Sequence, residues 1–493
     1  MTKSRRATTL SRLLLAAATG ACLTTACGVL PGSSGDSGGT LTVMTFAPMG
    51  TKATNMPGMP GMAKAYERWI NANGGIKGRK LRVLTCNEKN TATGAADCAR
   101  EAITKKAVAV VGSYSQYGRA FMAPLEAEGI PFIGGYGVSA EEFQSTLSYP
   151  VNGGQPALLA GAGHQLGKAC AQVSLVRPDT LAGDTMPVLL NAGLKANNSP
   201  EASDIRAAED AADLMPQARE ALAGAGSGGS GGSGGSSGTG GTGTKDTGTG
   251  TGTATPAAKG DGTSKATASP GPSGSAAGSS SPSPSAPSSA TAAKGSSSSK
   301  SCVTAVLGAR TETFFDAFRR ADTTHRNPQI SSVLGSVSQA LVDRTGGKES
   351  PFEGAYVTSW YPVSTDPLWA PMRKVISDEA FGDNTVEADD SGAQTTWIAY
   401  TVLNQVVQKF KDGEDVTARK VARMLNETSG ISTGNLTPQL SWRYQDMRAV
   451  AGFPRLVNGR VSFQVVQQGR LVAQLGEQDV DMTAVLESAP RSA

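Results

Sequence analysis

The chain has 493 residues, of which 39% are hydrophobic, and its 45 Lys and Arg against 41 Asp and Glu give a formal net charge of +4. The nearly balanced charge, without a basic stripe carrying interleaved aromatic residues, excludes nucleic acid as an expected partner. Beyond the N-terminal segment, no run reaches the eighteen or so apolar residues that a membrane-spanning helix needs.

The first residues predict export. Four basic residues precede or flank the short apolar run Leu13–Ala18, which is typical of a signal peptide over residues 1–26. The segment Thr24–Gly28 then resembles a bacterial lipobox, in which Cys27 receives the lipid. We therefore expect a protein anchored by lipid to the outer face of the cell membrane, because several acyl chains bind a bilayer durably.

Two alternatives to this N-terminus remain. Cys22, which follows Gly20-Ala21, is a weaker lipidation candidate, and ordinary secretion with cleavage nearby would leave no anchor. In the lipoprotein interpretation residues 27–40, rich in Gly and Ser, form a flexible tether.

The next stretch alternates strands and helices. Strands are predicted near 41–46, 80–85, 107–112 and 131–134, with helical segments between them. Asn73-Gly74-Gly75 supplies the left-handed residues that end the first helix and turn the chain into the second strand. This alternation predicts a parallel sheet covered by helices on both faces.

Three methionines lie three residues apart in the first helical segment. Met59 and Met62 continue with Tyr66 and Ile70 as the buried stripe of an amphipathic helix. The alternative is a Cu(I) site formed by the three thioethers, starting at Met56.

A low-complexity insertion occupies residues 226–300, almost wholly Gly, Ser, Thr, Ala and Pro. It cannot bury enough apolar surface to offset the entropy of ordering, so we predict disorder. Upstream, residues 207–222 predict a helix with Ala211, Leu214, Ala218 and Leu222 on one face, although Pro216 should kink it. Because a strand follows at 303–307, the insertion is predicted to be a long helix-to-strand loop inside one α/β unit.

Four cysteines remain after the signal peptide and Cys27. Cys86 ends a strand and Cys98 lies in the next helix, so a bridge would close a short loop. Cys170 and Cys302 each precede an apolar strand, and they can bridge if those strands are neighbours in a parallel sheet. Four-cysteine metal binding is the alternative, but no C-x-x-C pair is present.

Three motifs in order carry a family resemblance: Ala47-Pro48-Met49-Gly50, the run Ile70–Arg79 (INANGGIKGR), and Val110–Ser115 (VVGSYS). Together they resemble the type I periplasmic solute-binding proteins, the branched-chain amino-acid receptors of ABC importers. The resemblance implies an α/β fold with two doubly wound parallel-sheet lobes joined by a multi-strand hinge, as in a Venus flytrap.

The resemblance also implies how the chain is divided. Residues 41–148 and 364–450 would form lobe I, and residues 149–363 and 451–485 would form lobe II, which contains the insertion. Strands near 172–176, 303–307, 331–335 and 354–360 would build lobe II, closed by the strands 460–466 and 470–473.

By position, the resemblance places ligand-binding residues after two strands of lobe I. Ser113, Tyr114 and Ser115 follow the third strand, and Tyr136 and Gly137 follow the fourth. Hydroxyls and exposed amides at a helix start suit a carboxylate. The alternative is that Ser113 and Ser115 only cap the following helix.

The wall from lobe II is less well defined. Ala182 stands where family members often carry a Tyr that stacks on the ligand, which weakens the expectation of an amino acid. Arg310 is a candidate for an anion and Glu312 for an ammonium group, or both are solvated charges at a helix start. Tyr361, at the end of a strand, completes the wall or simply packs.

The resemblance implies a binding protein that is not an enzyme and carries no cofactor or metal. The two histidines, His164 and His325, fit no metal or catalytic-triad pattern. The expected function is capture of a small molecule, an amino acid or related polar solute, for a membrane permease of an ABC importer. The alternatives are a receptor that signals to a membrane kinase and an envelope scaffold with a vestigial cleft.

Overall fold

The computed structural model describes residues 39–489 except 53, 225–299, 326, 334, 381 and 449. The predicted signal peptide, Cys22, Cys27, most of the tether and the insertion up to residue 299 lie outside the described residues. Within the described ranges, no helix combines the length and the apolar character needed to cross a membrane.

The first sheet has five parallel strands in the order β2-β1-β3-β4-β5. They are β1 (Leu41–Ala47), β2 (Leu81–Asn87), β3 (Val110–Val111), β4 (Phe132–Ile133) and β5 (Ser148–Tyr149). The helices between them are α1 (Gly58–Ala72), α2 (Ala92–Thr104), α3 (Gly118–Glu128) and α4 (Glu141–Gln144).

Helices cover both faces of this sheet because successive side chains of a buried strand point to opposite sides. Val43 packs in one cluster with Met59 and Met62 of α1, whereas Met44 packs in another with Phe121 of α3. The predicted helical stripe of Met59, Met62, Tyr66 and Ile70 is confirmed, since all four side chains are buried.

The second sheet has eight strands in the order β12-β11-β10-β9-β8-β6-β7, with β13 paired to β11. They are β6 (Gln172–Pro178), β7 (Ser203–Ala207), β8 (Ser301–Ala305), β9 (Gln329–Ser332), β10 (Tyr356–Ser359), β11 (Arg460–Gln467), β12 (Arg470–Ala473) and β13 (Asp479–Asp481). The strands from β6 to β10 are parallel, and the last three are antiparallel.

Ten further α-helices lie in the described chain: α5 (Gly154–Ala169), α6 (Leu181–Asp184), α7 (Met186–Lys195), α8 (Met215–Gly224), α9 (Thr311–Ala321), α10 (Gln339–Arg344), α11 (Ala370–Glu379), α12 (Ser391–Gln408), α13 (Ala418–Glu427) and α14 (Thr483–Ser488). Helix α12 packs on α1, β3 and β4 of the first sheet. Its Tyr400 hydroxyl lies 2.8 Å from the Thr45 hydroxyl of β1, so the chain returns to the first lobe after building most of the second.

The predicted helix over 207–222 is wrong in its first half. Residues Ser203–Ala207 form edge strand β7 beside β6, with Ile205 and Ala207 buried between exposed neighbours. Helix α8 begins only at Met215, so Pro216 lies in the first turn, where its missing N–H costs nothing. The sequence pattern did not reveal this strand, because its alternation of buried and exposed residues is short and is followed by alanines that favour a helix.

The described residues contain two disulfides, and they are the pairs that the sequence predicts. Cys86 of β2 bridges Cys98 of α2 with a Cα–Cα distance of 5.7 Å, and Cys170 bridges Cys302 of β8 at 5.9 Å. Because β6 and β8 are adjacent parallel strands, the second bridge ties their leading ends together.

The two lobes are joined by three connections: β5 to α5, β10 to α11, and α13 to β11. Side-chain hydrogen bonds tie these connections together. The Trp442 indole donates to the Pro150 carbonyl at 3.0 Å, and the Asn458 amide donates to the Val151 carbonyl at 3.1 Å. The architecture is therefore α/β, with two largely parallel sheets linked by a three-connection hinge.

A candidate ligand-binding cleft between the sheets

A cavity of about 110 Å³ lies between the carboxyl edges of the two sheets. Loops that follow strands of the first sheet supply one wall, and those that follow β6, β7 and β8 supply the other. The first wall includes Thr54, Met56, Tyr114, Gln116, Tyr136 and Val138, and the second includes Pro178, Thr180, Ala182, Ala207, Leu307 and Arg310. Open α/β sheets bind ligands at this edge.

Two tyrosines form the aromatic part of the first wall. The rings of Tyr114 and Tyr136 lie 5.2 Å apart, and Tyr136 also meets Trp360 edge-on at 4.9 Å. The Tyr136 hydroxyl lies 2.9 Å from the Ser391 hydroxyl of α12. Burial raises the pKa of both phenols, so both stay neutral and offer a ring surface and a hydroxyl.

The serines beside Tyr114 face the protein interior. The Ser113 hydroxyl accepts a hydrogen bond from the Phe46 amide at 3.0 Å. The Ser115 hydroxyl donates to Glu88 at 3.2 Å and accepts from the Tyr117 amide at 3.1 Å, just before α3. Burial raises the pKa of Glu88 to about 7, and its bond from Ser115 opposes that rise. Both serines are fully buried and neither lines the cavity.

The amides after β4 already have an acceptor within the chain. The Glu142 carboxylate accepts from the amides of Gly137 at 2.9 Å, Val138 at 3.0 Å and Ser139 at 3.0 Å. The Ser139 hydroxyl donates to the same carboxylate at 3.1 Å. Burial raises the pKa of Glu142 to about 7 against the effect of these donors. The backbone groups expected to meet a ligand carboxylate are thus directed to a side chain of the protein.

The sequence carried a signal for Glu142. Ser139-x-x-Glu142 matches the capping-box pattern, in which the acidic side chain folds back onto the amide of the Ser at the start of a helix. Sequence reasoning considered the glycines and Tyr136 here and missed this residue.

In the second wall, Arg310 is held by main-chain oxygens. Its guanidinium donates to the carbonyls of Ala208 and Glu209, each at 2.8 Å, and of Ala211 at 2.5 Å. Among the described residues Arg310 has no carboxylate within 4.0 Å. Its charge therefore faces the cavity held in place but not neutralised. Glu209 also lines the cavity, with an exposed side chain.

The other two candidates lie outside this cavity. Glu312 forms an ion pair with Arg344 at 2.7 Å and lines a neighbouring depression. The Tyr361 hydroxyl accepts from the Asn152 amide at 2.9 Å and lies 3.0 Å from the Thr395 hydroxyl. Burial raises the pKa of Tyr361 to about 12. Tyr361 is fully buried and links two hinge connections to α12.

A second, larger cavity of about 510 Å³ adjoins the first. Gln116, Val138, Gln155 and Ala182 line both cavities. The second cavity continues along Phe143, Val188, Leu189, Phe453 and Leu486. Sequence reasoning missed it because its lining comes from six separate segments, none with a pattern of its own.

The described residues contain no group of three or more His, Cys, Asp or Glu side chains that could hold a metal ion. The cleft instead offers hydroxyls, amides, aromatic faces and one fixed cation. These groups are able to make hydrogen bonds, ring contacts and one charged contact to an organic solute.

Comparison with models of known protein families identifies the family of this chain. Residues 39–294 match the periplasmic binding protein family, and the chain belongs to that family. Its members are extracytoplasmic solute-binding proteins of ABC transporters, not enzymes. A comparison with curated protein sequences finds no match.

Solved structures share the fold at low sequence identity. A possible leucine/isoleucine/valine-binding protein from Rhodopirellula baltica has 11% identity and a TM-score of 0.60, over 89% of this chain and 97% of that one. A solute-binding protein from R. palustris in complex with benzoate has 13% identity and a TM-score of 0.58, over 90% and 97%. A fatty acid transporter substrate-binding protein from Thermomonospora curvata has 11% identity and a TM-score of 0.60, over 92% and 95%.

Proposed function

We propose that this chain is a lipid-anchored receptor that captures a small organic solute between its lobes and delivers it to the permease of an ABC importer. The main observation in support is the cavity between the facing carboxyl edges of the two sheets, because each sheet contributes one wall. The moving units are residues 41–148 with 364–450, and residues 149–363 with 451–485. Cys27 is the lipidated residue.

The mechanism is differential affinity for two arrangements of the lobes. A ligand that contacts Tyr114 and Tyr136 on one side and Arg310 on the other stabilises the closed arrangement by the contacts that only closure completes. Three connections at the hinge allow rotation about a defined axis, as in other hinge-closing receptors. The permease then recognises the closed form.

The chemistry of the cavity lining restricts the classes of ligand that we expect. The names of the neighbours cover branched-chain amino acids, benzoate and fatty acids, so the fold is compatible with several classes. Apolar groups from Met56, Ala207 and Leu307 alternate here with the hydroxyl of Thr180 and the charge of Arg310. This mixture supports a solute with an apolar body and one polar or charged end.

A thermal-shift screen tests the proposal. Purified protein is heated with amino acids, amides, peptides, sugars and carboxylates; a ligand at a hundred times its Kd adds about 2.7 kcal/mol to the free energy of unfolding. The variant Ala182→Trp, which fills the cleft, should lose the response. Ala223→Trp is the matched control, because Ala223 is exposed near the far edge of the second sheet. A ligand whose effect survives Ala182→Trp would place binding elsewhere and contradict the proposal.

The anchor has its own test. Cells expressing the protein are fractionated and the mature N-terminus is analysed by mass spectrometry. Cys27→Ser should move the protein from the membrane to the soluble fraction. Cys22→Ser should leave the protein in the membrane fraction. The reverse result would assign the lipid to Cys22, and a parent protein found in the soluble fraction with an unmodified mature N-terminus would exclude a lipid anchor.

A further inference from the structure

The amides after β4 are not open to a ligand carboxylate. The buried Glu142 side chain, 2% exposed, accepts from three consecutive amides and one hydroxyl. A ligand acid group placed there would have to displace a carboxylate that belongs to the chain, and its own charge would be repelled by Glu142. Recognition of an acid group at this position is therefore disfavoured.

The opposite wall offers the alternative. Arg310 uses three of its five N–H donors on backbone carbonyls, which fix the guanidinium without cancelling its charge. A carboxylate at Arg310 would form charge-assisted hydrogen bonds to a donor that needs no reorientation. The neighbouring Glu209 side chain is exposed and negative, and it disfavours a second acid group on the same ligand.

Apolar volume extends away from Arg310. The first cavity shares Val138 and Ala182 with the second cavity, where apolar surface exceeds polar surface. Phe143 and Phe453 meet edge-on there, with ring centroids 5.8 Å apart, and Leu486 also lines this cavity. The charged groups of its lining are two carboxylates, Glu141 and Glu487, which disfavour an acid group at this end. The two cavities together form an elongated cleft with a cation at one end only.

We propose that the ligand is an elongated monocarboxylate, whose acid group meets Arg310 and whose apolar chain runs past Val138 and Ala182 into the second cavity. The inference rests on the proposed function and names its substrate class. It also predicts that an α-ammonium group adds little, because Glu312 is already paired with Arg344 and an ion pair with the solvent-exposed Glu209 contributes little.

Calorimetric titration with straight-chain acids from butanoate to decanoate tests the apolar end. Each added methylene should tighten binding about fourfold while it enters the second cavity, and the gain should stop once that cavity is full. Matched ligands test the acid group. Octanoate should bind at least tenfold more tightly than octanol and than the eight-carbon diacid, and 4-methylpentanoate should bind more tightly than leucine, which differs from it by the ammonium group.

Variants separate the two ends. Arg310→Gln should weaken octanoate roughly tenfold to a hundredfold, the range for a lost charged hydrogen bond, and leave octanol unchanged. Arg344→Gln is the matched control and should leave octanoate unchanged. Val188→Trp narrows the second cavity and should weaken decanoate while sparing butanoate; Gly452→Leu, at a backbone position with open space around it, is a second narrowing variant if the first fails to fold.

Three results would overturn the inference: tighter binding of leucine than of 4-methylpentanoate, octanoate binding unaffected by Arg310→Gln, or affinity independent of chain length. If no monocarboxylate binds but another class stabilises the protein and Ala182→Trp abolishes that effect, the substrate class is wrong and the receptor function stands. If no class binds, both proposals fail.

Discussion

The Glu142 carboxylate gives a sharp prediction about pH. Its folded-state pKa is raised from 4.5 to about 7 by burial, with the bonds from Ser139 and Gly137 acting in the opposite direction. A group whose pKa is raised on folding adds stability that is fully present below its unfolded pKa and is lost as pH rises through its folded pKa. Glu142 should therefore favour the folded state at pH 4.5 and below, and this contribution should disappear between pH 4.5 and about 7.

The magnitude follows from the difference between the two pKa values. It corresponds to about 3 kcal/mol, since one pKa unit is worth about 1.4 kcal/mol. Glu142→Gln removes the titration but also loses the acceptor for the Gly137 amide, at a cost of about 1–3 kcal/mol. We expect the variant to be less stable than the parent protein at pH 5. The difference in the free energy of unfolding between parent and variant should shrink by up to about 3 kcal/mol by pH 8, because only the parent loses stability between pH 5 and pH 8.

Urea unfolding at several pH values between 4.5 and 8 measures this difference. Glu141→Gln is the matched control, because Glu141 is the adjacent carboxylate and its nearest cation, Arg119, lies 3.9 Å away at the surface. The change of the stability difference with pH should be larger for Glu142→Gln than for this control. A gap between Glu142→Gln and the parent that widens toward pH 8 would refute the reasoning, because the amides would then be holding an ionised carboxylate more strongly than burial opposes it.

Two further substitutions probe buried polar groups by urea unfolding. Arg177 is 1% exposed and donates two bonds to Asp204, so Arg177→Met should cost about 1.5–3 kcal/mol, the range for lost hydrogen bonds to a charged group. Arg206→Met, with a side chain 58% exposed, should cost under about 1 kcal/mol, and equal costs would contradict the assigned role of burial. Tyr361→Phe removes the hydroxyl that meets Asn152 at the hinge and should lower the free energy of unfolding by about 1–3 kcal/mol at any ligand concentration. A variant with parental stability and lost ligand binding would instead place Tyr361 in the binding wall.

Much of the architecture could be predicted from local patterns. The apolar stripe from Met59 to Ile70 and the glycines that end α1 act over a few residues, and the structure places them as expected. Edge strand β7 could not be predicted in this way. It has only two buried side chains, Ile205 and Ala207, and its stability comes from pairing with β6, a contact that sequence periodicity does not report.

The cleft was less predictable because its chemistry depends on residues that meet only in the folded chain. Glu312 was a candidate for a ligand ammonium, yet Arg344, thirty-two positions later, pairs with it. Tyr361 was a candidate for the wall, yet its hydroxyl meets Asn152, which is 209 positions away. Arg310 faces the cavity, but its fixed geometry depends on carbonyls a hundred positions earlier, across the insertion.

The attachment points of the insertion explain how the second lobe accommodates it. Helix α8 ends at Gly224 beside Ser174 and Ser203, near the amino ends of β6 and β7, and the Lys300 carbonyl accepts from the Ala171 amide before β6 begins. The cavity lies beyond the other ends of these strands, at Pro178 and Ala207. Seven residues of β6 separate the two edges by roughly 20 Å at about 3.3 Å per residue. Since loop-closure entropy grows only with the logarithm of length, a long segment inserted at this edge changes the stability of the lobe little. Its attachment points also lie at the edge of the sheet opposite the cleft.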